Sequence, residues 1–263
     1  AFLNCSITSL SLGASVPIPP GINRESLTSV RILQEPPPHT TIPASRFAGC
    51  VNLSRIDIPS SIISIGDSAF AGCKLLNSSI GKTALFLPDS ITSIGASAFA
   101  DCSALKSIRL PASLKSLGDS AFAGCSTLGE GASPQDFSIP STLVSSGKNV
   151  FAGCPITTLS ISVATPLPSG ISKSSLVSLR ILREESVTSI PASYFEDCTK
   201  LTSIEIPDTI KSIGGSAFKN CTQLKSTLAS TSLDLPASIT TIAASAFSGC
   251  TSLTTISLPP KLQ

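Results

Sequence analysis

The side chains of this 263-residue chain best suited to nucleophilic, redox or metal chemistry are nine cysteines and a single histidine, His39. Catalysis by a thiol or hydroxyl needs a base and an orienting group beside the nucleophile, and one histidine in the stretch PPPHTT is a poor base for so many nucleophiles. Zinc sites draw on paired cysteines of the C-x-x-C kind, and the chain has no such pair. The acidic pair Glu184-Glu185 has its ordinary explanation in loop solubility, and no G-x-x-x-x-G-K-[ST] or G-x-G-x-x-G phosphate loop occurs. These residues predict a protein that is not an enzyme, with no catalytic residue, no metal and no cofactor.

The cysteines have a spacing of another kind. Each closes a Phe-x-x-Cys phrase: Phe2/Cys5, Phe47/Cys50, Phe70/Cys73, Phe99/Cys102, Phe122/Cys125, Phe151/Cys154, Phe195/Cys198, Phe218/Cys221 and Phe247/Cys250. Successive cysteines lie 45, 23, 29, 23, 29, 44, 23 and 29 residues apart, so the unit is 23 residues with some six-residue insertions. The two long gaps each hold an extra unit without the phrase. A longer period lies on top: residues 7–33 match residues 156–182 at an offset of 149, and Cys50, Cys73 and Cys102 recur as Cys198, Cys221 and Cys250 at an offset of 148. Fixed-period self-similarity is the mark of a stacked repeat architecture. The expectation is one solenoid over 1–263 of about eleven coils, in two large repeats, about 5–153 and 154–263, and a segment of a longer array.

Within the unit LKSIRLPASLKSLGDSAFAGC at 105–125, Ile108 and Leu110 alternate as on a half-buried strand. Pro111 ends that strand because it cannot donate to a ladder. Leu114 and Leu117 give a second short apolar stretch, Gly118 permits a turn, and Ser120 to Cys125 is too short for more than one or two helical turns. Such a coil cannot bury its apolar side alone and must stack on its neighbours.

The pattern L-x-x-I-x-L-P-x-x-L-x-x-I-G-x-x-A-F-x-x-C, met most closely at 53–73, 105–125 and 201–221, resembles the BspA-like, or Treponema pallidum-type, leucine-rich repeat family. The departures are the units at 7–33 and 156–182, which lack Phe-x-x-Cys, and the 29-residue units. The resemblance implies a curved, horseshoe-like leucine-rich repeat solenoid with one parallel β-strand per coil on the concave side. Short strand, 3-10 or helical turns complete each coil on the convex side. It also implies a surface or secreted binding role, as for many members.

A residue type that returns once per coil forms a column along the stack. Cys50, Cys73, Cys102, Cys125, Cys154, Cys198, Cys221 and Cys250 are therefore expected as a structural core ladder beside a ladder of phenylalanines, each thiol a small hydrophobe with a weak donor. Disulfides are the alternative. Parallel Cβ vectors at the ~4.8 Å strand spacing exceed the ~3.5–4.5 Å Cβ separation a disulfide takes, and nine is an odd number.

Composition narrows the partners. A net charge of +2 with 13% charged residues gives no field suited to nucleic acid, and no apolar run is long enough to span a membrane. What the fold offers is an exposed sheet. The residue between the Ile and the second Leu of each L-x-x-I-x-L should face outward on the concave side. Coil by coil this gives the candidate binding strip: Ser11, Arg31, Asp57, Phe86, Arg109, Ser138, Ser160, Arg180, Glu205, Asp234 and Ser257. The charges also fit cross-strand ion pairs that keep the sheet soluble, whereas an outward Phe86 has the form of a contact anchor. The insertions near 77–83, 129–135 and 226–232 form a second candidate surface along one edge. The leading expectation is a binding or adhesion module, extracytoplasmic or at the cell surface, that engages a protein or glycan ligand through the concave sheet and edge loops. The alternative is an intracellular structural or self-assembling scaffold, with self-association through the solenoid ends.

Overall fold

In the coil 105–125, Leu105, Ile108 and Leu110 are buried while Arg109 points outward, so the L-x-x-I-x-L alternation becomes a strand at Ile108–Arg109. Pro111 closes it. Lacking an N–H for the ladder, the proline offers only its carbonyl, which accepts from Leu114 N at 3.1 Å. The same turn recurs at Pro59/Ile62, Pro88/Ile91, Pro207/Ile210 and Pro236/Ile239. A second strand of two residues follows, Ser116–Leu117, with the serine half-buried and the leucine in the core. These contacts belong to a computed structural model that describes residues 2, 5–36, 39–129 and 137–263.

The SAFAGC phrase keeps to the short turns its length allows, and no α-helix occurs among the described residues. It is a run of tight turns held by two left-handed residues, Ser120 at φ 56° and Gly124 at φ 76° in this coil. The position before each cysteine is left-handed at Gly49, Gly72, Gly124, Gly153 and Gly249, and also at Asp101, Asp197 and Asn220. Glycine, aspartate and asparagine are the types that tolerate this region, which explains why only they stand there. Successive turns are joined by backbone bonds that all run one way: Phe99 N donates to Ala121 O and Asp101 N to Ala123 O, both at 2.8 Å. Gly118 lets the coils approach, since a Cβ there would lie 2.4 Å from Ala96 N.

The left-handed pair turns phenylalanine and cysteine inward. In one stack, Phe47, Phe70, Phe99, Phe122 and Phe151 lie ring on ring with centroids 5.1–5.4 Å apart. In another, Phe195, Phe218 and Phe247 do so at 5.5 and 5.4 Å. Where the preceding coil carries the phrase, the thiol donates to the carbonyl of its phenylalanine: Cys73 to Phe47 O, Cys102 to Phe70 O, Cys125 to Phe99 O and Cys154 to Phe122 O, at 3.1–3.3 Å. Cys221 and Cys250 do the same to Phe195 O and Phe218 O. All nine cysteines are free, and eight are buried. Cys5 is the exception, exposed beside an exposed Phe2.

Two compact units result, one of Ala1–Glu130, Thr142–Pro155 and Leu167–Ile171, the other of Gly131–Ser141, Ile156–Pro166 and Ser172–Gln263. Every strand pairing within them is parallel, as for a β-solenoid. In the first unit the first sheet runs Ser9–Gly13, Ser29–Leu33, Arg55–Asp57, Ser78–Ser79, and a separate pair is Leu85–Phe86 with Ile108–Arg109. The second sheet runs Thr41–Ile42, Ser64–Ile65, Ser93–Ile94, Ser116–Leu117, Ser145–Ser146. The second unit repeats the plan. Its first sheet runs Ser138–Ile139, Thr158–Ile161, Ser178–Ile181, Ser203–Glu205, Ser226–Thr227, with Leu233–Asp234 paired to Ile256–Ser257, and its second runs Ser189–Ile190, Ser212–Ile213, Thr241–Ile242.

The coils without Phe-x-x-Cys leave each turn ladder with an open end, and the chain closes it with side chains. Arg24, on the 3-10 turn Arg24–Ser26, donates to Arg46 O at 3.0 Å, a carbonyl that no preceding turn can reach. Lys173, on the equivalent turn Lys173–Ser175, donates to Ser193 O at 3.3 Å. The exposed faces of Phe47 and Phe195 are covered in the same way. The Arg46 guanidinium lies 5.6 Å over the Phe47 ring, and Tyr194 packs edge-on against Phe195 with centroids 4.6 Å apart. The Tyr194 hydroxyl donates to the Thr165 carbonyl, and burial raises its pKa.

Candidate binding face

The outward strip forms in the register the sequence predicts, but in four pieces. Ser11 pairs with Arg31 and Arg31 with Asp57; Phe86 pairs with Arg109; Ser138, Ser160, Arg180 and Glu205 align in turn; Asp234 pairs with Ser257. The breaks come from the insertions. Near 77–83 and 226–232 the chain was expected to leave as an edge loop. Instead Ser78–Ser79 and Ser226–Thr227 stay in register with the preceding strand and extend the sheet before turning. Ser79 N then closes on Ala84 O at 3.0 Å and Thr227 N on Ser232 O at 2.9 Å. Of the third insertion, near 129–135, only Gly129 lies within the described residues.

Most strip residues already have partners. Arg31 Nε is 3.2 Å from Asp57 Oδ2, and Arg180 Nη2 is 2.8 Å from Glu205 Oε2, so the recurrent Arg-then-acid order is a cross-strand ion pair in both copies. Asp234 accepts from Ser232 Oγ at 2.6 Å and Ser257 Oγ at 2.7 Å, and these bonds hold its carboxyl below the usual carboxylate range. Ser160 is a correction: it is only 2% exposed, a short side chain in the second strand of its sheet, Thr158–Ile161, which is buried along its length. Ser138 is half-buried, and Ser11 and Ser257 are exposed. Phe86 is 39% exposed, with its backbone held by Ser79 Oγ, which is 3.0 Å from Phe86 N. Arg109 makes only a loose pair with Asp89 at 3.9 Å, both side chains 63% exposed.

Among the described residues, no three His, Cys, Asp or Glu side chains converge to hold a metal ion, and no helix is long and apolar enough to cross a membrane. His39 is exposed, and Glu185 pairs with Arg183 at 2.9 Å. The second sheet carries a feature that the sequence reading passed over, a column of hydroxyls at Thr41, Ser64, Ser93, Ser116 and Ser145. A shallow groove of about 470 Å³ runs beside it, lined by Ser64, Gly66, Asp67, Ser93, Gly95 and Ser116 among others. The period-two alternation around Ile65, Ile94 and Leu117 would have located it. Arg55 was missed for a related reason, being one outward position earlier on its strand.

One family model matches the sequence of these stacked coils along the chain. The model for the BspA type leucine rich repeat region (6 copies) matches residues 1–77, 40–166, 130–225 and 171–263. The chain belongs to the BspA-type leucine-rich repeat family. Repeats of this kind are typically non-catalytic binding modules. Solved structures similar to it include a T. pallidum leucine-rich repeat protein, 22% identical over 84% of this chain and 86% of that one, with a TM-score of 0.46. A leucine rich cell surface protein from Faecalibacterium prausnitzii A2-165 is 24% identical over 97% of this chain and 83% of that one, with a TM-score of 0.42. The pneumococcal vaccine antigen PcpA is 22% identical over 97% of this chain and 61% of its own, with a TM-score of 0.44. No curated protein matches the chain significantly.

Proposed function

We propose that this leucine-rich repeat chain is a non-enzymatic binding module that engages a protein or glycan outside the cell, through the outward face of its first sheet and the turns beside it. The observation that carries this reading is Phe86, a 39% exposed aromatic beside the Arg109 guanidinium on the strand pair that continues the outward strip after the first sheet. Exposed aromatics and arginines are the residue types that anchor interfaces. The turns of the Phe-x-x-Cys ladder spend their polar groups on stacking, whereas the first sheet keeps side chains to spare. Burial of eight thiols also removes the main physical objection to an oxidising compartment. The test is binding to an array of extracellular matrix proteins and glycans, beside a variant with Arg31, Phe86, Arg109 and Arg180 changed to alanine. Loss of binding in the variant supports the reading. No binding by the parent protein to any array member sinks it and favours a scaffold role.

A further inference from the structure

The two large repeats carry nearly the same scaffold, and among the places where their sequences differ is a patch of the outward face around Phe86. The ion pairs are kept: Arg31–Asp57 in the first copy stands where Arg180–Glu205 stands in the second. Around Phe86 the copies part. At the offset of 148, Arg55, Lys82, Phe86 and Arg109 correspond to Ser203, Ser230, Asp234 and Ser257. The first copy thus gathers three cations and an aromatic where the second has three serines and a carboxylate. Since the backbone pairing is the same in both, with Arg55 and Ser203 each aligned to a serine of the inserted strand, the difference does not arise from folding needs.

The two sets also differ in how far they are already satisfied. Asp234 is bonded to Ser232 and Ser257 within its own copy. Arg55 and Lys82 are exposed and make no ion pair among the described residues, and Arg109 has only the 3.9 Å contact to Asp89. Phe86 sits on the pair Leu85–Phe86 and Ile108–Arg109, and the short turn that carries Lys82 joins it to Ser78–Ser79, the strand paired with Arg55–Asp57.

Resting on the binding reading above, we infer that Arg55, Lys82, Phe86 and Arg109 form a docking patch for an acidic protein segment that also presents an apolar side chain. The cations supply charge complementarity, which steers and orients an anionic partner. Phenylalanine has no polar tip, unlike Tyr or Trp, so an apolar side chain of the partner is the group that its exposed ring takes. The patch lies in the first copy alone, and the second copy serves as a built-in control.

The experiment is fluorescence anisotropy with a labelled Glu/Leu-rich peptide, its Lys/Leu counterpart and heparin, all against the full chain. One variant puts the second copy's residues into the first, R55S, K82S, F86D and R109S. Another puts the first copy's residues into the second, S203R, S230K, D234F and S257R, a gain that misfolding cannot mimic. The expected result is saturable, salt-weakened binding of the Glu/Leu peptide, lost by about tenfold or more in the first variant, as for removal of interface anchors, and doubled in stoichiometry by the second. Equal binding of the Lys/Leu peptide, an unchanged affinity in the first variant, or dependence on the patch for heparin but not for the peptide would each overturn the proposal. Array ligands bound with full affinity by the first variant would overturn it while leaving the wider binding reading standing.

Discussion

Gly118→Ala measures how tightly one coil is laid on the next. An ideal Cβ at Gly118 would lie 2.4 Å from Ala96 N, 2.6 Å from Gly95 C and 2.8 Å from Ala96 Cα. Carbon contacts relax at ~3.5–4.0 Å, so about an ångström of separation must be found between two backbones. Neither is free to give it, because Gly118 N donates to Ile94 O and Ser97 N to Asp119 O, both at 2.8 Å, on either side of the clash. Weakening both bonds costs about 1 kcal/mol each, and overpacking adds ~1–3 kcal/mol. Less the ~0.4–1 kcal/mol that alanine contributes by stiffening the unfolded chain, the sum is about 2–4.6 kcal/mol, and at ~2–4 °C per kcal/mol for a chain of this size the melting temperature falls by roughly 4–18 °C. Gly49→Ala is the control. It too replaces glycine, at φ +72°, but a Cβ there meets nothing within 4 Å. Only left-handed strain of ~1–2 kcal/mol remains, offset by ~0.4–1 kcal/mol from the stiffer unfolded chain. Thermal and urea unfolding by circular dichroism reads both variants, and Gly118→Ala should also broaden the transition, because a defect between coils uncouples its neighbours. If the two variants melted together, the close-approach argument would be wrong.

Native thiol titration should show one fast-reacting cysteine, Cys5, with the eight buried thiols released only by denaturant; rapid labelling of several in the folded protein contradicts the ladder. Burial pushes the Cys102 thiol from its ordinary 9.0 up to about 12. A raised thiol pKa means that the unfolded chain loses the proton first, so stability is full below pH 9 and falls as pH rises toward 12, at about 1.4 kcal/mol per pH unit for each such thiol. Cys102→Ala should flatten that alkaline slope, and an unchanged slope refutes the assignment. Arg24→Ala leaves Arg46 O without its 3.0 Å donor and should cost about 1–2 kcal/mol, seen first as faster hydrogen exchange in the turn at 45–50 and not in the turn at 118–125. The partly exposed pair Arg180–Glu205 should show a coupling below about 1 kcal/mol in a double-mutant cycle.

Legibility in the sequence followed repetition. The period of Phe-x-x-Cys located the core columns, since a side chain that returns once per coil has only one place to go, and the thiol-to-carbonyl bonds from Cys73 to Cys154 are what that column implies. Strand register was legible too, because Arg31 and Asp57 occupy the same slot of adjacent coils. What the pattern hid is whatever happens once. The insertion at Ser78–Ser79 looked like a loop because a two-residue strand has no period of its own, and only pairing with Arg55–Ile56 defines it. The left-handed serines of SAFAGC were hidden as well, because serine carries no glycine-like signature for a positive φ. Arg24 and Lys173 could not be assigned to ladder ends until the carbonyls they cap were in place.

The same division explains how such a chain can vary its outward face at little structural cost. Stacking fixes the inward Leu, Ile, Phe and Cys columns, the Gly118-type close approaches and the left-handed turn positions, all of which meet the next coil. Positions 55, 82, 86 and 109 lie outside that set, on strands or a turn secured by backbone bonds and by Ser79. The exchange of Phe86 for Asp234 between copies is therefore close to neutral for folding, while at the surface it turns an apolar anchor into a carboxylate already bonded to two serines. A fold that separates the two sets of positions in this way can carry two different faces on one repeated scaffold.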